Sequence, residues 1–226
     1  MDKQNLKLRI LSALVLIPVA LSAIWFGGYI YYGFALFMMI LATHEMIQLV
    51  GKKNLQVINI LLFITIAALA FSFYHAQFNL LVFVLIGFAM LHWLIKLFYY
   101  ETNVTLENSA ALLVLFYAGI TIGTSIYIRQ FYAPIFNVDD SHGAIFLFLI
   151  FGSIWACDTF AYFGGSTLGK HKLYPKVSPG KSWEGAIIGF IGALAIGFLF
   201  KKLWLPELTL TLSLIIAVIT GVFGQI

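Results

Sequence analysis

Residues Phe78–Tyr99 read FNLLVFVLIGFAMLHWLIKLFY, an apolar run whose only charged residue is Lys96. A membrane-spanning helix needs about 20 mostly apolar residues, because the hydrocarbon core is ~30 Å thick and each helical residue rises ~1.5 Å. This run therefore predicts a transmembrane helix. Similar stretches on either side of it predict about eight spans, at approximately 10–26, 29–50, 55–74, 78–99, 109–128, 143–163, 183–200 and 208–225.

The composition of the whole chain agrees with this interpretation. Of its 226 residues 62% are hydrophobic and 10% are charged, and the mean hydropathy is +1.00. Soluble domains carry about 25% charged residues, so a water-soluble globular fold is excluded. Long apolar runs also differ from the alternating pattern of membrane β-barrels. We predict an all-α, polytopic transmembrane protein that forms a single integral membrane domain over residues 1–226.

The lysines and arginines predict the orientation of the spans. With the N-terminus in the cytoplasm, all but three of the 13 Lys and Arg residues lie on the cytoplasmic side, as the positive-inside rule requires. The predicted topology has both termini in the cytoplasm, in a bacterial inner membrane. Glu45, Asp158 and Glu184 then lie toward the cytoplasmic ends of their spans. Since a buried carboxylate is costly in a bilayer, they indicate a polar cavity open to the cytoplasm.

The predicted loop 164–182, between the sixth and seventh spans, carries the residues suited to chemistry. Tyr162 follows Asp158 by one helical turn, so the two share a helix face. Ser178-Pro179 is a typical helix start, with a side-chain oxygen at the N-cap and proline at the first helical position. Helix N-termini and glycine-rich backbone favour anions. The loop contributes glycines and lysines to such a site: Gly164, Gly165, Gly169, Lys170, Lys172, Lys176 and Lys181. We therefore expect a polyphosphate site facing the cytoplasm.

Structural explanations of the same residues remain open. Topology alone requires lysines in a cytoplasmic loop, and glycines often form a simple turn after a helix. Asp158 beside Tyr162 can be a helix-packing contact, and Glu45 can be structural or interfacial. The histidines at 44, 92 and 171 lack zinc-ligand spacing, and the single cysteine, Cys157, excludes an intramolecular disulfide.

Around this loop the sequence resembles the phosphatidate cytidylyltransferases, also called CDP-diacylglycerol synthases. The resemblance is carried by residues 155–185, and its last block replaces the Ser-Pro-Lys-Lys-Thr-Trp-Glu-Gly of the family with Ser178-Pro179-Gly180-Lys181-Ser182-Trp183-Glu184-Gly185. Ser182 keeps the hydroxyl of the threonine, whereas Gly180 removes one cation. The run Arg9-Ile10-Leu11-Ser12-Ala13-Leu14 and the acid Glu45 also resemble the family.

The resemblance implies an enzyme that transfers CMP from CTP to phosphatidate, with Mg²⁺ as cofactor and the lipid bilayer as its surroundings. It implies catalytic roles for Asp158, Lys181 and Glu184, with Asp158 as a metal ligand. The substrate-binding residues would be Lys170, Lys172, Tyr162, Ser178, Pro179 and Ser182. The family's main metal-binding aspartates belong to a signature expected beyond residue 226, so we expect the sequence to be a truncated piece that is inactive by itself.

Two other functions remain open at this stage. A small-ion transporter would also explain acids within the spans, and a catalytically incomplete scaffold of the family would explain the missing signature. We expect no nucleic-acid partner. Small residues along the seventh span form a packing stripe that suits either an intramolecular contact or a homodimer interface; they are Gly185, Gly189, Gly192, Ala193 and Gly197.

Overall fold

The computed structural model describes residues 3–99, 104–175 and 178–223, with side-chain burial for 14–98, 104–175 and 178–220. Lys176 and the side chains of the first 13 residues, which entered the topology and resemblance arguments, lie outside that description. The chain divides into two compact units, Met1–Tyr132 and Ala133–Ile226.

The N-terminal unit is built from long helices joined by short turns. Gly27, with φ of 64°, separates the first two helices, because this backbone conformation is rarely adopted by residues with a side chain. A π-helical turn at Leu115–Ile120 joins the fifth helix to the sixth, whose last residues extend into the next unit. The helices are α1 (Lys3–Phe26), α2 (Gly28–Gly51), α3 (Asn59–Tyr74), α4 (Phe78–Tyr99), α5 (Val104–Val114) and α6 (Thr121–Phe136).

Two buried cations organise the interior of this unit. Lys96 on α4 pairs with Glu107 on α5 at 2.9 Å, and each side chain is only 1% exposed. Glu107 also accepts a hydrogen bond from the backbone N–H of Gln56 at 2.8 Å. The guanidinium of Arg129 donates to the Ile24 carbonyl at 2.7 Å, which satisfies a backbone group at the end of α1.

In the described residues, the C-terminal unit contains the end of α6, three further helices and a β-hairpin. The hairpin strands are antiparallel, with Lys172 opposite Ser182 and Tyr174 opposite Ser178, and the register is irregular between these pairs. In chain order the elements are α7 (Ser141–Leu168), β1 (Lys172–Tyr174), β2 (Ser178–Ser182), α8 (Trp183–Leu203) and α9 (Leu210–Phe223).

The predicted all-α, polytopic membrane class is confirmed. Every predicted span overlaps a helical segment of the described residues. Five helices there are long and apolar enough to cross a membrane: Gly28–Gly51, Phe78–Phe98, Val104–Phe136, Ser141–Leu168 and Trp183–Leu203. Three further apolar helices are shorter: Leu14–Phe26, Asn59–Tyr74 and Leu210–Thr220. The count of eight spans and the side on which the termini lie stay predictions.

The small-residue stripe of α8 packs within the chain. Its five members are all buried. A Cβ atom at Gly185 would lie 2.7 Å from the Ala161 carbonyl oxygen of α7, and one at Gly197 would lie 3.0 Å from the Ala217 Cβ of α9. These glycines let α7 and α9 approach α8 closely, as in other membrane helix pairs.

Two local predictions around the hairpin are wrong. The loop does not begin at residue 164, because α7 continues to Leu168 and its glycines at 164 and 165 are helical. Helix α8 does not begin at Ser178-Pro179, because that dipeptide lies in β2 and pairs with β1. The helix begins at Trp183 instead, and its N-cap is Ser182, whose Oγ accepts a hydrogen bond from the Gly185 N–H at 3.2 Å.

Candidate functional site

The hairpin and the adjoining ends of α7 and α8 enclose a cavity of about 340 Å³. Five of the predicted site residues line it: Asp158, Tyr162, Ser178, Lys181 and Ser182. The remaining lining residues are small or hydroxylic: Ala161, Gly165, Ser166, Gly180, Gly185 and Ala186. The structure thus gathers most of the predicted site at one place within the C-terminal unit.

Helix α7 contributes the acidic and aromatic side chains of the cavity. Asp158 and Tyr162 are one turn apart, and both are exposed at the helix surface. Among the described residues, Asp158 makes no side-chain hydrogen bond or salt bridge. The phenol of Tyr162 does not bond to that carboxylate, and its ring instead contacts Phe163 edge-on at 5.6 Å. The Asp158 carboxylate is therefore available to a ligand of the cavity.

Strand β2 contributes the cationic and hydroxyl groups. Lys181 is half-buried and Ser178 is also half-buried, whereas Ser182 is 5% exposed. Because the Ser182 Oγ caps α8, this hydroxyl has a structural role as well as a place in the cavity lining. Pairing of Ser182 with Lys172 on β1 fixes the strand that carries Lys181.

Four of the predicted site residues do not line the cavity: Lys170, Lys172, Pro179 and Glu184. Lys170, Lys172 and Pro179 are exposed. The Glu184 carboxylate accepts hydrogen bonds from the backbone N–H groups of Lys170 at 3.1 Å and His171 at 3.2 Å. It also pairs with the His171 Nδ1 at 2.6 Å. Glu45 is exposed on α2 in the N-terminal unit. The roles predicted for these residues stay predictions.

The described part of the chain contains no group of three or more His, Cys, Asp or Glu side chains placed to hold a metal ion. Among the described residues that line the cavity, Asp158 is the one carboxylate. Mg²⁺ in nucleotide sites is often held by one or two carboxylates, with phosphate oxygens and waters completing the octahedron. The residues present fit that arrangement, with Asp158 as the protein ligand.

Chemically, the cavity suits a phosphate-bearing ligand. Lys181 and Gly180 both line the cavity, and among the described residues a Cβ added at Gly180 would meet nothing within 4 Å. An anion can therefore approach both the cation and the strand backbone. Asp158 at the same cavity would repel a bare phosphate, so the pair favours a phosphate that carries a divalent cation.

Sequence reasoning missed His171 as a partner of Glu184. The two are 13 residues apart and lie on either side of the hairpin, so no helical or strand periodicity relates them. The role predicted for Gly164 and Gly165, to open the backbone to an anion, is also wrong. A Cβ at Gly164 would lie 2.6 Å from Ile188 Cδ1, and one at Gly165 would lie 3.2 Å from Ser182 Oγ. These glycines pack α7 against α8 and the end of β2 rather than opening the backbone to an anion.

Comparison with known proteins gives a family and several relatives. A family model described as the Cytidylyltransferase family matches residues 7–226. A phosphatidate cytidylyltransferase of Haemophilus influenzae is 55% identical over 62 residues, which are 27% of this chain and 22% of the relative. One from Bacillus subtilis is 34% identical over 109 residues, or 48% of this chain and 39% of the relative.

A third relative aligns along nearly the whole chain. The phosphatidate cytidylyltransferase of Staphylococcus haemolyticus is 27% identical over 225 residues, which are 98% of this chain and 82% of the relative. The chain thus matches less than half the length of the first two relatives and most of the third.

Proposed function

Since the chain belongs to the cytidylyltransferase family, we propose that it takes part in transfer of CMP from CTP to phosphatidate. The products are CDP-diacylglycerol and pyrophosphate. The observation that carries the proposal is the cavity at the end of α7, where Asp158 and Lys181 face one space. The names of the relatives supply the substrates, and the cavity supplies groups suited to a triphosphate.

The proposed reaction needs little covalent chemistry from the protein. A phosphate oxygen of the lipid attacks the α-phosphorus of CTP, and the bond from that phosphorus to the bridging oxygen of pyrophosphate breaks. Because both reactants are anions, catalysis rests on positioning and on neutralising charge. Lys181 would bind phosphate oxygens, and Asp158 would hold Mg²⁺. When bound, Mg²⁺ supplies positive charge against the phosphates.

The membrane arrangement of the proposal follows the predicted topology. CTP enters from the cytoplasm, the phosphatidate head group lies at the interface, and its acyl chains stay in the bilayer. The active side then faces the cytoplasm of a bacterial inner membrane, with no nucleic-acid partner. A homodimer draws no support from the α8 stripe, since α7 and α9 of the same chain cover it.

Binding of radiolabelled CTP to membranes that contain the chain tests the proposal. Lys181→Ala should weaken binding about 10- to 100-fold, because hydrogen bonds to charged groups are worth about 1.5–3 kcal/mol. Lys202→Ala removes the same charge from the far end of α8, at an exposed residue outside the cavity lining, and should bind as the unmodified chain does. Equal CTP binding by both variants would contradict the proposed site.

The same measurement separates the two other functions. A small-ion transporter has no reason to retain CTP. A catalytically incomplete scaffold would retain CTP but release no CDP-diacylglycerol when phosphatidate is added. We expect retention of CTP with Mg²⁺ present, and release of CDP-diacylglycerol on addition of phosphatidate would exclude the scaffold.

A further inference from the structure

Four hydrogen bonds join the segment before β1 to the first turn of α8. Glu184 accepts from the backbone N–H groups of Lys170 at 3.1 Å and of His171 at 3.2 Å. Its Oε1 pairs with the His171 Nδ1 at 2.6 Å. The Trp183 N–H then donates to the His171 carbonyl at 2.9 Å. We call this arrangement the His171–Glu184 clasp.

The clasp provides hydrogen-bond acceptors for backbone N–H groups that would otherwise lack them. Lys170 and His171 lie between the end of α7 and the start of β1, so neither a helix nor a strand supplies acceptors for their N–H groups. A carboxylate can accept several such bonds at once. Glu184 lies in the first turn of α8, where the helix dipole favours a negative side chain. Both of its oxygens are engaged by the segment that they hold.

The clasp lies at the base of the strand that forms the cavity. Glu184 follows β2 by two residues, and His171 immediately precedes β1. The next pair along the hairpin is Lys172 with Ser182, and Lys181 is adjacent to it. With only three residues in β1, the pairing of the strands is short. An opened clasp would leave β2, with its lysine, free to move away from Asp158.

We propose that His171 and Glu184 are positioning residues, which fix β2 and thereby hold Lys181 at the cavity. They act through the hairpin rather than by touching the nucleotide or a metal ion. The His171 side chain is 78% exposed and that of Glu184 is 26% exposed. Since exposed pairs contribute little to global stability, their loss should change the hairpin without unfolding the protein.

Amide hydrogen exchange tests the clasp without any ligand. In His171→Ala and in Glu184→Gln, the amides of Lys170, His171 and Trp183 should exchange at least tenfold faster, and those of Gly180 and Lys181 should follow. His171→Asn keeps a side-chain N–H near the position of Nδ1 and should restore much of the protection. His44→Ala, which removes an exposed histidine from α2, is the matched control and should change none of these amides.

Binding of CTP tests the consequence, and this arm rests on the proposed function. His171→Ala should raise the apparent Kd for CTP about tenfold, and the Asn variant should recover most of the loss. The double variant His171→Ala/Glu184→Gln should bind no more weakly than the worse single variant, because both changes open the same clasp.

Several results would overturn the proposal. One is unchanged exchange at Gly180 and Lys181 in both single variants. Another is multiplicative losses of CTP affinity in the double variant, which would indicate separate direct contacts. Faster exchange with unchanged CTP affinity would show that the clasp does not position the site. If the unmodified chain fails to retain CTP, the proposed function fails, and the clasp is judged on the exchange at Gly180 and Lys181 alone.

Discussion

An alanine at Gly185 would place a methyl group against the backbone of α7. Its Cβ would lie 2.7 Å from the Ala161 carbonyl oxygen, 2.9 Å from the Gly165 Cα and 3.0 Å from the Gly165 N. All of these atoms belong to helix backbone, so none can rotate away. The two helices must separate at the point where both contribute to the cavity.

The expected change in stability of Gly185→Ala is the sum of two opposing effects. Overpacking a well-packed contact costs about 1–3 kcal/mol, and rigid backbone neighbours favour the upper end of that range. Replacing glycine by alanine within a helix recovers up to ~1 kcal/mol of helix propensity. We expect a net loss of about 2 kcal/mol, and hence a fall of about 4–8 °C in the unfolding midpoint at ~2–4 °C per kcal/mol.

Cys157 provides the assay, since it is the only cysteine of the chain and its side chain is buried on α7. A fluorogenic thiol reagent in detergent reports the temperature at which this residue becomes accessible. Gly152→Ala, on α7, is the matched control, because its Cβ would lie 3.7 Å from Ile196 Cγ2 of α8, an ordinary contact. Equal unfolding temperatures of Gly185→Ala and Gly152→Ala would show that the close contact at Gly185 does not limit stability.

Two further predictions concern the stability of the N-terminal unit. In each, the protein is heated, and size-exclusion chromatography measures the temperature at which it stops being monodisperse. Lys96→Met removes the cation that pairs with the buried Glu107 carboxylate, and it should lower the free energy of unfolding by about 3–5 kcal/mol. The double variant Lys96→Met/Glu107→Leu should lose clearly less stability, because neither of the two buried charges is left. A double variant less stable than the single one would contradict this. Gly27→Ala should cost about 1–3 kcal/mol, since φ is 64° and the new Cβ would collide with the Arg129 guanidinium. Gly33→Ala, which meets nothing within 4 Å, is its control, and equal stability of the two would refute the argument.

The helices were predictable because their signal is local and long. A run such as Phe78–Tyr99 has the length and apolar composition of a span, and the structure begins and ends that helix at the same residues. The fifth predicted span, at 109–128, lies within a longer helical segment that runs from Val104 through a π-helical turn to Phe136. Pro134 lies inside its last part and did not end it.

The hairpin was not predictable from the same kind of signal. Ser178-Pro179 has the local chemistry of a helix start, but Ser178 pairs with Tyr174 across the turn, and this partner lies outside the local pattern. Proline is tolerated there because a two-stranded hairpin consists only of edge strands. A serine does cap the N-terminus of α8, as predicted, but it is Ser182, four residues after Ser178.

In the candidate site, too, the contacts within the motif were predictable and those that depend on tertiary folding were not. Asp158, Tyr162 and Lys181 belong to one short segment, so the motif itself predicted that they would lie near each other, and they line one cavity. The contact of His171 with Glu184 depends on how the hairpin folds back onto α8. The choice between a packing face and a dimer face for the α8 glycines likewise depends on tertiary contacts, which the sequence pattern does not contain.

If the cavity between α7 and β2 binds the triphosphate of CTP, bound CTP should shield Lys181, and lysine footprinting measures that shielding. Membranes containing the chain are treated with an amine-acylating reagent in the presence of Mg²⁺, with and without CTP, and the rate is measured at each lysine. We expect CTP to slow the acylation of Lys181 at least several-fold and to leave the rate at Lys202 unchanged. An identical rate at Lys181 under saturating CTP would contradict this expectation.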